Sequence, residues 1–113
     1  MYFPPRPTQR LAIAKYHRTV DALIKLITEA VCATPARSML VIGVDLNDGL
    51  GIVQQGSEKR YVESCSVGEP GASLEHYAGE QLKRVLERFQ LVVINTFRQA
   101  EPTFFPAGSS SII

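Results

Sequence analysis

The sequence predicts an α/β domain on three observations: two segments with apolar residues at helical spacing, two short uniformly apolar runs, and their alternation along the chain. The order reads helix, strand, helix, strand, then a shorter extended piece. With 113 residues and 45% apolar composition, the chain is one domain by size and can bury a modest core.

Each element has its own local reason. After a proline-rich entry, Val20, Leu23, Ile24, Ile27, Ala30 and Val31 fall on one helical face. A helix is expected from about Thr8, whose hydroxyl can cap it, to Cys32; Thr34-Pro35 stops it because the residue before proline is pushed out of the helical region. Ser38 to Val44 is continuously apolar rather than alternating, as in a strand covered on both faces, and it breaks into turn chemistry at Asp45-Leu46-Asn47-Asp48-Gly49. Residues 50–73 are glycine-rich and of mixed polarity, so a flexible loop or insertion is expected there, with a weak strand candidate at Lys59-Arg60-Tyr61-Val62. Leu74, Tyr77, Ala78, Leu82, Val85, Leu86 and Phe89 then define a helix from about Ser73 to Arg88, with Gly79 its weak point. Gln90 to Thr96 is a second buried-type strand, adjacent to the first in one sheet, and Pro102 to Phe105 is the short third piece.

Charge and cysteine content exclude several classes. Twelve basic and eleven acidic side chains leave a formal charge of +1, so no overall field advertises a polyanionic partner and any nucleic-acid affinity must be local. Arg6, Arg10, Lys15 and Arg18 form either a phosphate track or, more simply, a solvated helix face. Cys32 and Cys65 lie far apart without ligand-spaced partners, which reads as two free thiols in a reducing compartment. No signal segment and no apolar run of membrane-spanning length occurs, so the expectation is an intracellular protein, cytoplasmic or nuclear, with no membrane partner. No glycine-rich loop follows a strand to open a helix, which argues against a nucleotide-binding domain.

The chemistry is sought where a buried strand ends in polar residues, since ligands of α/β sheets bind beyond the carboxyl ends of strands. Asp45 and Asn47 are such residues; two apart in extended chain, they project to the same side. A carboxylate that accepts a proton from water beside an amide that donates to a phosphoryl oxygen suits phosphodiester hydrolysis. A plain Asx-rich turn accounts for the same residues. Asn95 and Thr96 end the second strand on the same rim, where they either support the site or cap a turn. His17 and His76 read as surface or boundary histidines.

Four blocks in order carry a resemblance: Met39 to Asp48, Gly79-Glu80-Gln81-Leu82, Leu91 to Phe97, and Pro102 to Ser109. Together with the opening Tyr2-Phe3-Pro4-Pro5, they resemble the endonuclease/exonuclease/phosphatase family, most closely its retroelement-associated and craniofacial-development-protein-like members. The matching family patterns are a strand ending in Gly-Asp-Phe-Asn, a helix near Asn-Gly-Glu-x-Leu, a strand ending near Asn-Thr, and a Thr-aromatic segment. Val44 stands where the family has glycine and Leu46 where it has phenylalanine.

The resemblance implies part of an α/β sandwich, a piece of the four-layer DNase I-like fold. It also implies a Mg²⁺-dependent phosphodiesterase, an endonuclease acting on nucleic acid or another phosphodiester, with Asp45 and Asn47 catalytic and Thr103 and Asn95 near the substrate. The family's metal-binding glutamate and its closing Asp and His have no counterpart in this stretch. The expectation is therefore an internal piece, inactive as an isolated chain; the alternative is a degenerate remnant or scaffold without turnover.

Overall fold

In the computed structural model, residues 1–97 are described. The chain is α/β, with two helices and a small mixed sheet of three strands: α1 (Ile13–Ala33), β1 (Gly51–Gln55), β2 (Glu58–Tyr61), β3 (Ser73–Leu74) and α2 (Tyr77–Arg88). Short 3-10 turns lie at Arg10–Ala12 and Ile94–Thr96. Among the described residues, no helix is long and apolar enough to cross a membrane.

Both helices form where the periodicity places them. In α1, Tyr16, Val20 and Ile27 make the buried stripe, with Leu23, Ile24 and Val31 packed beside it. Its start comes later than Thr8: the 3-10 turn runs into the α-helix without any side-chain cap. Its end is as expected, with the Thr34 N–H donating to Val31 O and the Thr34 hydroxyl to Ala30 O at 2.7 Å before Pro35. Helix α2 buries Ala78, Leu82, Val85 and Leu86 against α1. Its C-terminus closes with the Leu91 N–H donating to Leu86 O at 2.8 Å and the Gln90 N–H to Glu87 O, which puts Gln90 in the left-handed region at φ 57°. Fully buried Phe3, Val20, Ile27 and Val67 sit in the common core, each such apolar side chain contributing about 1.5–3 kcal/mol.

The sheet is not where the apolar runs suggested. β1 is central, antiparallel to β2 with Ile52 opposite Tyr61 and Gln55 opposite Glu58, and parallel to β3 with Gly51 opposite Ser73. Residues 50–73, expected as a loop or insertion with a strand candidate at Lys59-Arg60-Tyr61-Val62, thus contain the hairpin, whose second strand falls on that candidate, and the start of β3. Gly56-Ser57 is its two-residue turn; Gly56 takes φ 63° while Ser57 stays at negative φ, the arrangement that favours glycine first. Ser73 therefore lies in a strand, and α2 starts four residues later than expected.

The runs Ser38–Val44 and Leu91–Val93 do not pair as strands of this sheet. Leu40, Ile42, Leu91 and Val93 turn toward the core while Met39, Val41 and Val92 face out, and Ile94–Thr96 forms a 3-10 turn. An apolar run covered on both faces needs layers on both sides, and the described residues supply only one. The extended piece at Pro102 to Phe105 lies outside the described residues.

Candidate functional site

The rim around Asp45 is built by the N-terminal segment. Tyr2 makes a parallel bridge to Asp45: the Asp45 N–H donates to Met1 O and the Phe3 N–H to Asp45 O, both at 2.8 Å, and the Met1 ammonium donates to Gly43 O at 2.6 Å. Asp45 itself projects its side chain into solvent. Asn47 takes φ 51°, a left-handed conformation that Asn tolerates better than most residues, so the alternation of extended chain that would align it with Asp45 does not hold here. Its Nδ2 donates to Phe3 O at 2.7 Å, which clamps the entering segment and leaves one amide hydrogen for another acceptor.

The other expected site residues are dispersed. Asn95 is exposed in the 3-10 turn. Thr96 is buried: its hydroxyl accepts from the Gly68 N–H at 2.8 Å and donates to Val93 O at 2.6 Å, which is turn capping rather than support of Asp45. Thr103 lies outside the described residues. His17 stacks on Tyr77 with ring centroids 3.8 Å apart, and the Tyr77 hydroxyl donates to Asp21, which raises that phenol above its usual pKa.

Two cavities flank the sheet and helices, and Asp45 and Asn47 line neither. One, of about 640 Å³, is an apolar groove between the runs 39–44 and 91–96. The other, of about 570 Å³, is an open hollow between β1 and α2, lined among others by Gln54, His76, Lys83 and Arg84. At its edge, and reaching through Asp48 to the apolar groove, stands the most organised polar cluster among the described residues. The Asp48 carboxylate, 4% exposed, accepts the N–H groups of Gly49, His76 and Gly79 at 2.8–3.1 Å, and its Oδ1 is 2.9 Å from His76 Nδ1. Asp48 thereby supplies from a distant loop the N-terminal cap that α2 lacks locally. The contact also favours the tautomer in which Nδ1 carries the proton, leaving Nε2 as an acceptor. Beside it, Glu75 accepts from the Gly51 N–H at 2.9 Å and faces Lys83 at 3.2 Å, both side chains nearly buried. Sequence reasoning placed Asp48 in the turn and His76 on the helix but did not join them; no local spacing connects residues brought together by the return of β3 beside β1.

The Tyr16 hydroxyl is buried near this cluster without a hydrogen-bond partner among the described residues. Burial, and then the Asp48 charge, raise its pKa above the ordinary 10.0, while Arg6 and the nearby Ala78 main chain, whose approach falls short of a well-formed hydrogen bond, pull weakly the other way.

The described residues do not fit a Mg²⁺ site. A hard cation takes oxygen ligands, usually with one or two carboxylates. Among the described residues, no three of His, Cys, Asp or Glu stand close enough to hold a metal ion, and Asp45 faces solvent alone. Asp48 spends its oxygens on N–H donors. No protein-family model matches the chain, and no curated protein or solved structure is significantly similar to it.

Proposed function

We propose that this chain is the central part of a Mg²⁺-dependent phosphodiesterase domain of the endonuclease/exonuclease/phosphatase kind, with a four-layer DNase I-like architecture when whole and nucleic acid as substrate. The observation that supports the reading is the meeting of Tyr2-Phe3 with Asp45-Leu46-Asn47. Two segments that carry the family resemblance, far apart in sequence, lie side by side and are joined by backbone and side-chain hydrogen bonds. In this reading the Asp45 carboxylate accepts a proton from the attacking water, and the remaining Asn47 amide hydrogen donates to a phosphoryl oxygen. The chain alone does not turn over, because one exposed carboxylate can neither hold the metal nor balance charge on the scissile phosphate.

A scaffold without turnover is the second reading, favoured by the use of Asn47 Nδ2 to hold Phe3 O rather than a ligand. The deciding experiment is a Mg²⁺-dependent cleavage assay on plasmid DNA and labelled RNA. The chain and its Asp45→Ala variant are expected to be equally inactive. A longer product of the same reading frame, carrying a further Glu before Met1 and an Asp and His after Ile113, should cleave and should lose cleavage with Asp45→Ala. If that longer product is inert, the scaffold stands. Cleavage by the short chain that vanishes in the variant overturns the claim of inactivity.

A further inference from the structure

We propose that the outward face of α1 and the segment leading into it, from Arg6 to Lys25, bind the phosphate backbone of double-stranded nucleic acid. The proposal rests on the reading above only in taking nucleic acid as the polyanion. Charge is unevenly distributed along the chain: residues 6–25 carry five basic side chains and one acidic, whereas the remaining residues carry seven basic and ten acidic. The formal charge of +1 thus combines a surplus of four positive charges on one segment with a deficit of three elsewhere. Arg6, Arg10, Lys15, Arg18 and Lys25 are all exposed, and none pairs with a carboxylate among the described residues. The one acid in the segment, Asp21, accepts the Tyr77 hydroxyl of α2 at 2.6 Å.

Helix geometry gathers these charges. At about 100° per residue, Lys15, Arg18, Ala22 and Lys25 face away from the buried Tyr16, Val20 and Ile27. From Lys15 to Lys25 they span about 15 Å of helix. Exposed Ala14 and Ala22 keep the relief between them low, so a phosphate chain can approach the basic heads. Glu29, one turn after Lys25, ends the patch, and at its other end Arg6 lies four residues after Tyr2, whose bridge holds Asp45. A solvated helix face ordinarily mixes signs, as α2 does where Arg84 and Glu80 pair at 2.7 Å; among the described residues α1 has no such pair. The same face separates kinds of polyanion. A helix that lies on a lipid surface inserts its apolar side, and α1 has buried that side in the core; Leu11 and Leu26 are exposed at opposite ends of the patch and form no strip. Single strands are held by aromatic stacking, and here Tyr16 is buried and His17 is stacked on Tyr77. Basic heads without stacking partners suit the phosphates of a duplex.

The test is fluorescence anisotropy of a labelled short DNA duplex, without Mg²⁺ and from about 50 to 200 mM salt. It compares the chain with the double variant Arg18→Gln/Lys25→Gln and with a control, Lys59→Gln/Arg60→Gln, which removes the same charge from exposed positions of β2; circular dichroism checks that both keep their fold. The expected result is binding that falls with salt, is weakened at least about tenfold by the α1 variant with a log–log salt slope shallower by about two, and stays within about twofold in the control. Absence of binding at the lowest salt overturns the proposal. Equal losses in the two variants overturn it too, because they would reflect net charge rather than this face. A single strand or phosphatidylglycerol vesicles bound as tightly as the duplex, or polyglutamate competing as well as unlabelled duplex, overturns the assignment to duplex phosphates. Binding is read without turnover, so the result does not depend on whether the longer product cleaves.

Discussion

The turn around Asp48 and the rim around Asp45 are three residues apart and are made on opposite plans. At Asp48, backbone approaches backbone so closely that side chains are excluded. A Cβ on Gly79 would lie 2.0 Å from Gly49 O, and one on Gly49 would lie 2.3 Å from Leu74 O. One carboxylate collects three main-chain donors and a ring nitrogen there. At Asp45 the side chain is free, and the flanking run exposes the apolar residues Met39, Val41 and Val44. The first region carries stability at the expense of an open binding surface; the second keeps its surface open and contributes little to holding the helices together.

The largest expected effect tests the close approach. Gly79→Ala should destabilise by about 3 kcal/mol or more, because the obstacle is a carbonyl oxygen of the main chain. In an unobstructed helix the same change would stabilise by up to about 1 kcal/mol. Urea denaturation distinguishes the two signs, and a stabilised variant would mean that the approach is looser than described.

Next comes a paired measurement. Asp48→Ala strands buried N–H groups and should cost about 2–3 kcal/mol, whereas Asp45→Ala should stay within about 0.5 kcal/mol. Equal losses in thermal or urea melts would remove the contrast between the regions.

The smallest effect concerns Tyr16. Its folded-state pKa is raised above 10.0, so the folded chain holds the phenolic proton more tightly than the unfolded one. That contribution is fully present below pH 10 and is lost as pH rises through the folded value. Tyr77 shifts the same way through its bond to Asp21. Tyr16→Phe should therefore change stability little at pH 7, since the hydroxyl has no partner among the described residues, and should flatten the alkaline decline. An unchanged alkaline limb would show that Tyr16 does not ionise against burial.

Helices were legible from the sequence because Val20 to Val31 and Leu82 to Phe89 repeat over several turns, and such repetition survives local exceptions. Strands were legible only at Lys59-Arg60-Tyr61-Val62, which falls on β2 (Glu58–Tyr61); the others were not, for two physical reasons. Uniform apolarity at Ser38–Val44 and Leu91–Ile94 records what the segments would bury, not whether a layer is there to bury them. The strands that do form at Gly51–Gln55 and Glu58–Tyr61 are short and largely polar, so their evidence lay in Gly56-Ser57, a hairpin turn between them. Gly79 was legible only as a defect in a helix; its reason lies in Gly49, which approaches from another part of the fold. The Asp45-x-Asn47 pair was visible as a motif, yet the φ of Asn47 and its bond to Phe3 depend on a segment more than forty residues earlier.

The placement of Phe3 bears on how the protein is made. Phe3 is fully enclosed in a cluster whose members extend to Leu86. At translation rates of about 5–20 residues per second, the ribosome delivers this aromatic side chain several seconds before the last residues that enclose it. The Phe3 side chain must therefore wait unburied until α2 has emerged, open meanwhile to non-native apolar contacts.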